Sequence, residues 1–446
     1  MTANQRSEEP GVKKNTCLVV PGTFLPYNEV TTQLVYKQLR LLPLRYEVCA
    51  LDGEKEDPGF AEKLRRDPNY EKFHVVLPYT YNDATFTIHN VNLFKGLSTM
   101  KKYVDYAVNM YDGQEYLYTS SFPCYSTRVG VELKKKVPGL KWIASFSDPI
   151  NHSPYKYDTA TIRSYYPVER ECFYLYCHFY VVDRDEANAF EQADLLLFIC
   201  EEQRDFMIEQ YMKYFHAVDE KTIRDKCVIV PLSYIPEWNA PEPADPRVKG
   251  PVFTLAHFGR VYGLRIIEEF IYAFFMFVKI HPDVKVKIEQ YGEFRRSDRK
   301  LIRKLGLREY FEIHDKYSYE AGYQKMGEAD AVLLFDTILP EDEIQPYLPS
   351  KVLEYSLLKK NVLAVATPKS PTYRLMKKTD SIVCRYDRYD ILRGLEEIVL
   401  QEKTSRIEYS FTNEEAVEEL QKRIRELQET EQNKTCTASS GMRYSL

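Results

Sequence analysis

The sequence predicts an α/β protein of two doubly wound parallel sheets facing each other across a cleft. Three observations predict it. Short apolar runs alternate with longer amphipathic stretches from Thr16 to Gln401, which is the pattern of strand and crossover helix. One segment, carrying Pro236, Pro241, Pro243, Pro246 and Pro251, interrupts that alternation, which restarts at Val252. The 446 residues also exceed what one hydrophobic core holds, so two domains are expected.

A polar lead, residues 1–14, is expected to be disordered. Thr16–Val20 then reads as a buried strand ending in Pro21-Gly22-Thr23, followed by a helix from Val30 to Leu42 and the strand Tyr46–Leu51. The first loop is long for a strand-to-helix connection, and loops at such strand ends carry ligands. Gly22 would allow close backbone approach there, and an ordinary turn glycine is the plainer reading. Further on, Lys95–Met110 reads as a helix, Glu115–Thr119 as a strand, Ser126–Lys136 as a helix and Leu140–Phe146 as a strand. That last strand ends in Ser147-Asp148-Pro149. Asp148 is placed to accept a bond from a substrate hydroxyl, although an aspartate opening a turn before proline is common.

Tyr155–Phe190 is rich in aromatic residues and contains His178, but its apolar run falls short of the roughly 20 residues that cross a bilayer. A helix packed between layers, or a segment lying on a membrane surface, accounts for it. Asp183-Arg184-Asp185 matches a two-carboxylate metal pattern but continues a helix, so no metal site is assigned. The strand Leu195–Cys200, a helix Glu201–Phe215 and the strand Cys227–Val230 complete the first domain, residues 15–240, with residues 241–251 as linker.

The second domain, residues 252–402, restarts with a strand Val252–Phe258 that runs into Gly259-Arg260, then a helix, then Val284–Tyr291 ending at Gly292. Helix Asp298–Leu305, strand Tyr310–His314, helix Tyr319–Glu328 and strand Ala331–Phe335 follow, then the acidic loop Glu341-Asp342-Glu343. Residues 403–430 hold a charged amphipathic helix from Asn413 to Gln428. Residues 431–446, small and polar, are expected to be disordered.

Composition narrows the function. A net charge of −5 argues against a nucleic-acid binder. The first fifteen residues lack a signal-peptide core. Nine scattered cysteines without a C-x-x-C pair form neither a metal site nor a disulfide frame, which suits a reducing cytoplasm. The 36 tyrosines suit half-wet clefts.

The chemistry centres on Leu348-Pro349-Ser350-Lys351-Val352-Leu353-Glu354-Tyr355, which reads as a loop feeding a helix before the strand Val362–Ala366. Pro349 suits the first helical position. Val352, Leu353 and Leu357 form the core-facing stripe, leaving Lys351 and Glu354 on another flank. A helix start with a lysine favours an anion, and a carboxylate one turn on accepts two hydrogen bonds from a sugar diol. The bland alternative is a solvated i,i+3 ion pair worth a few tenths of a kcal/mol. Across the cleft mouth, Arg260 and Arg265 would bring two more cations. At ~4 Å and an effective dielectric near 20, each contributes on the order of 4 kcal/mol against a diphosphate before desolvation. Singly, each reads as a surface cation.

In that order, His257-Phe258-Gly259-Arg260, Gln290-Tyr291-Gly292, Ala329-Asp330-Ala331-Val332-Leu333-Leu334 and Pro349-Ser350-Lys351-Val352-Leu353-Glu354-Tyr355 resemble the donor domain of GT-B glycosyltransferases of the retaining family 4 group. The first half, through Ser147-Asp148-Pro149 and Ala193-Asp194, is similar to the acceptor domain. The resemblance implies two Rossmann-like domains and a metal-independent, cofactor-free transfer of a sugar, with retention, from a nucleotide-diphosphate donor to a glycan or lipid-linked acceptor in polysaccharide biosynthesis. It implies catalysis by Arg260 and Arg265, with Asp148 on the acceptor side. Donor contacts would come from Gly22, Gly259, Gly292, Pro349, Ser350, Lys351 and Glu354, and from the loop Phe311–Lys316 beside the base. A cytoplasmic protein with peripheral contact at the inner membrane face is expected. Two positions depart from the family: Pro346 stands where the first glutamate of its E-x7-E motif belongs, and Arg265 where lysine is usual. Glu343 or Gln345 is the nearest substitute for the missing carboxylate. The Pro346 departure also admits a catalytically silent relative that only binds.

Overall fold

The computed structural model describes residues 12–27, 29–52, 58–80, 93–121, 125–149, 152–154, 183–238, 250–314 and 319–441. Most of the expected lead, most of the aromatic stretch with His178, linker residues 241–249, loop residues 315–316 and residues 442–446 lie outside them.

The first domain runs β1 (Lys13–Val20), α1 (Val30–Leu39), β2 (Arg45–Asp52), α2 (Pro58–Arg66), β3 (Phe73–Thr80), α3 (Leu93–Asn109) and β4 (Gln114–Ser120). It continues with α4 (Tyr125–Lys136), β5 (Lys141–Ser145), α5 (Asp183–Gln192), β6 (Leu195–Phe198), α6 (Glu201–Tyr214), α7 (Glu220–Lys226) and β7 (Cys227–Ile229). Its strands lie in the order β3-β2-β1-β4-β5-β6-β7, every pair parallel. Strands such as Leu195–Phe198 are buried throughout because helices cover both faces. The order reverses between β1 and β4, and ligand crevices open outside the carboxyl ends of strands at such a reversal.

A two-residue strand, β8 (Ser233–Tyr234), leaves this domain. The second domain then runs β9 (Phe253–Phe258), α8 (Glu268–Ile280), β10 (Val286–Tyr291), α9 (Arg296–Lys304), β11 (Phe311–His314), α10 (Tyr319–Glu328) and β12 (Ala331–Phe335). After these come α11 (Lys351–Leu357), β13 (Asn361–Val365), α12 (Pro371–Lys378), β14 (Val383–Cys384) and α13 (Arg388–Val399). The sheet order is β11-β10-β9-β12-β13-β14, again all parallel, with its reversal between β9 and β12.

The chain then returns to the first domain. Strand β15 (Phe411–Thr412) pairs with β8, and α14 (Asn413–Gly441) lays Val417, Leu420 and Ile424 into the cluster that holds Val35 and Leu39 of α1. Asn413 fixes the start of this helix, its Nδ2 donating to the Lys37 carbonyl at 2.7 Å and its Oδ1 accepting from Arg40 at 2.9 Å.

The structure adds short elements that the sequence reading did not assign, among them α2, α7, α12 and β14, and starts β1 at Lys13, inside the lead expected to be disordered. Pro349 is not the first helical residue: α11 begins at Lys351, and Ser350 before it is itself in helical geometry, with no capping bond from its side chain. The bonds from Val352 N to Pro349 O (3.1 Å) and from Leu353 N to Ser350 O (3.2 Å) make that entry a tight turn. Strand β3 went unread because Pro78 interrupts it, and it lies at the sheet edge, where proline costs no ladder bond. Helix α14 extends to Gly441, through residues expected to be disordered, since neither proline nor glycine breaks the chain before that point.

Candidate active site

The ends of β9 and β10 are joined by one buried side chain. Gln290 Nε2 donates to the Gly259 carbonyl at 2.8 Å and to the Gly292 carbonyl at 3.1 Å, while its Oε1 meets His257 Nδ1 at 2.8 Å. Because the amide nitrogen serves both carbonyls, its oxygen must accept, so His257 carries its proton on Nδ1. Burial pushes the His257 imidazole down to about 3, which keeps it neutral. Gly259 and Gly292 have φ of +143° and +126°, values that require glycine. Their amides donate to Tyr291 O and His314 O, both at 2.8 Å, extending the parallel ladder past the strand ends.

These turns deliver two of the expected cations together. The Arg260 guanidinium is exposed, lies 3.1 Å from the Glu293 carboxylate and stands 5.9 Å from the centre of the Tyr262 ring. Arg265 donates to the Arg260 carbonyl at 3.3 Å and stands 5.6 Å from the same ring, and its buried Nε has no partner. Tyr262 thus gathers both guanidinium groups at one strand end, as cation–π attraction favours.

Helix α11 shares a core cluster with these strand ends. Its Val352, Leu353 and Tyr355 pack in the group that contains Phe258 and Tyr291, and the Tyr355 hydroxyl donates to Leu333 O at 3.3 Å. Lys351 and Glu354 do form the i,i+3 pair, at 3.2 Å. That pair occupies Glu354 Oε1 and leaves Oε2 buried without a partner. Glu354, Lys351 and Ser350 line a cavity of about 190 Å³ between the domains, which Tyr323 of α10 also lines. Its other wall is α1, through Gln33, Lys37 and Gln38, with Pro231–Ser233 at the crossing between domains.

Asp336, just past β12, was not singled out in the sequence. It is wholly buried, accepts from Thr337 N at 2.7 Å and from Gln345 Nε2, and burial raises its carboxyl to about 6. Gln345 is also wholly buried, held by Asp336, by the Tyr347 amide and by Lys369 O, so it is not free to replace the missing glutamate. Glu343 stays exposed, and Pro346 is buried with its carbonyl 3.9 Å from Cys200 Sγ of the first domain.

On the first domain, Gly22 is buried beyond β1, and its carbonyl accepts from Leu51 N at 3.0 Å. Asp148 lies three residues beyond β5. Its side chain is exposed. Neither residue lines the 190 Å³ cavity. Asp185, from the discounted metal triplet, pairs with Arg128 at 3.0 Å instead. Among the described residues no cluster of metal-binding side chains occurs. None of their helices is long and apolar enough to cross a membrane.

No protein-family model matches the chain, and no curated protein matches it by sequence. Solved structures do. Sucrose-phosphate synthase from Thermosynechococcus elongatus is similar at 12% identity and a TM-score of 0.56, over 95% of this chain and 100% of that one. WaaG, a glycosyltransferase involved in lipopolysaccharide biosynthesis, is similar at 13% identity and 0.53, over 87% and 91%. Anabaena HepE, solved in complex with UDP and glucose, is similar at 13% identity and 0.52, over 91% and 95%. The fold is therefore GT-B, two Rossmann-like domains around a cleft.

Proposed function

We propose that the protein is a glycosyltransferase that moves a sugar from a nucleoside-diphosphate donor to a glycan or lipid-linked acceptor. One observation carries the reading: Glu354, with an unpartnered carboxylate oxygen, lines the interdomain cavity on a helix that packs against the strand ends leading to Arg260 and Arg265, which do not themselves line it. A carboxylate with a free oxygen suits a ribose diol, and paired guanidinium groups suit a diphosphate. Fold alone would not license this, since one fold hosts many reactions. The similarity to a protein solved with UDP and glucose supports a nucleotide-sugar donor.

In this reading the bond from the sugar to the diphosphate breaks as negative charge builds on the leaving oxygen. Arg260 and Arg265 neutralise that charge, taking the part a metal ion plays elsewhere, and such preorganised contacts are the largest lever on rate. Transfer with retention follows from the family resemblance. Asp148, just beyond the end of β5 in the first domain, would accept from an incoming acceptor hydroxyl. Acceptors built at the inner membrane face, for polysaccharide, fit the same reading.

Thermal shift with UDP, GDP and ADP tests the donor site. A nucleotide at 100 times its dissociation constant adds about 2.7 kcal/mol of stability, and Glu354→Ala abolishes that shift. A binder that never turns over is the second reading, favoured by buried Pro346 in place of the expected glutamate. Nucleotide release measured from UDP-, GDP- and ADP-sugars alongside binding separates the two.

A further inference from the structure

The wall that α1 contributes to the interdomain cavity carries polar groups that the fold itself does not fully use. Gln38 is 1% exposed. Its Oε1 accepts from the Tyr118 hydroxyl at 2.5 Å and the Ser145 hydroxyl at 2.8 Å, and its Nε2 has no partner. An amide left so is unfavourable, and a bound ligand with an acceptor would remove that cost. One residue earlier, the Lys37 ammonium donates to the Ser233 carbonyl at 2.7 Å, where the chain crosses between domains. Across the gap, Glu354 lines the same cavity, and its buried Oε2 has no partner. Donors from one domain thus face an acceptor from the other around a single space.

We propose that Lys37 is a positioning residue for the nucleotide site. From the first domain it holds the Glu354 carboxylate of the second in place, with Gln38 Nε2 beside it as a donor to the bound nucleotide. The inference rests on the nucleotide-sugar reading above and adds to it that the first domain completes the site. Lys37 is suited to the task because its position follows the domain crossing, so closure and the charge facing Glu354 change together. Electrostatics connect the two residues: burial lowers the Lys37 ammonium to about 8, and the Glu354 carboxylate works against that fall. Among the described residues, the other charged or titratable groups that share the cavity with Lys37 or act on it are Lys351 on α11, Tyr323 on α10 and Arg40 on its own helix.

The test is titration calorimetry of UDP, GDP and ADP against the full chain at pH 7, 8 and 9, for wild type, Lys37→Met and Lys37→Arg. Wild-type affinity for whichever nucleotide binds should fall as the pH passes 8, when the ammonium loses its proton. Lys37→Met should bind about fivefold to tenfold more weakly at pH 7, with little change up to pH 9. Lys37→Arg should keep its affinity at pH 9, because a guanidinium stays charged. Wild-type binding with an unaltered affinity and pH profile in Lys37→Met overturns this inference alone. A wild type that binds none of the three nucleotides overturns the donor reading and this inference with it.

Discussion

Gly292 stands against Gly259 so closely that a methyl group on the one would overlap the carbonyl of the other. Its φ of +126° is a conformation that side-chain-bearing residues pay about 1–3 kcal/mol to adopt. Both costs fall on Gly292→Ala. The variant should lose about 2–4 kcal/mol of stability, read in chemical denaturation. It should also lose activity beyond what stability explains, since the Gly259 carbonyl it displaces leads directly into Arg260.

Arg260→Ala should behave in the opposite way. The side chain is exposed, and its ion pair with Glu293 is of the kind that contributes ~0–1 kcal/mol, so unfolding should scarcely change. Turnover should fall by ~2–4 kcal/mol, which is the usual loss when a preorganised charge contact is removed. Arg265→Lys should fall less, because charge is kept while the bond to the Arg260 carbonyl and the stack on Tyr262 are lost. Steady-state kinetics on the folded variants, with kcat and KM separated, checks both. An unchanged kcat in Arg260→Ala counts against the leaving-group role.

The parallel sheets were legible because strands such as Ala331–Phe335 and Leu195–Phe198 are apolar throughout, and only a strand covered on both faces affords that. The glycine turns at 259 and 292 were legible because they follow such strands directly. What periodicity does not encode is the pairing of distant side chains. Nothing local marks Lys37 as the residue that would face Glu354, since it reads as one more helix cation 317 positions upstream. Gln290 likewise reads as a strand residue, and only the meeting of two strand ends makes it a clamp. The short β8–β15 pair and the return of α14 to the first domain escape for the same reason, as contacts closed over a long loop.

Asp336 makes stability depend on pH in a definite direction. Its carboxyl sits at about 6 in the folded protein against 3.8 for a free aspartate, because burial penalises the charge. Between those values the folded state holds the proton more tightly than the unfolded state. The contribution is therefore fully present below pH ~4 and lost as the pH rises through 6. A shift of this size corresponds to ~3 kcal/mol at neutral pH. Asp336→Asn keeps an oxygen to accept from Thr337 N and Gln345 and removes the titration. Relative to wild type, it should gain stability steadily from pH 4 to pH 7, read as the difference in melting temperature at each pH. A difference that stays constant over that range shows that the carboxyl is not raised.

Arg374 on α12 reaches across the domain gap to Glu202 on α6, with Nε 2.5 Å and Nη2 3.1 Å from the two carboxylate oxygens. Beside this fork, the Ser153 and Tyr347 hydroxyls meet at 2.6 Å, and Ile344 packs against the core of the first domain. Ile344 and Tyr347 come from the loop after β12 and Arg374 from α12 after β13, so together they hold the second domain against the first. Closure made in advance spares the ligand part of the ordering cost of binding. Glu202→Ala combined with Tyr347→Phe should therefore leave unfolding nearly unchanged, since neither contact is internal to one domain's core. The variant should show a larger radius of gyration by X-ray scattering and bind nucleotide about fivefold more weakly, the equivalent of ~1 kcal/mol. Raising the salt should reproduce part of that loss in wild type and little of it in the variant, because screening acts on the Arg374–Glu202 pair. Equal radii for the two proteins at low salt would show that Ile344 and the α14 return suffice to keep the domains together.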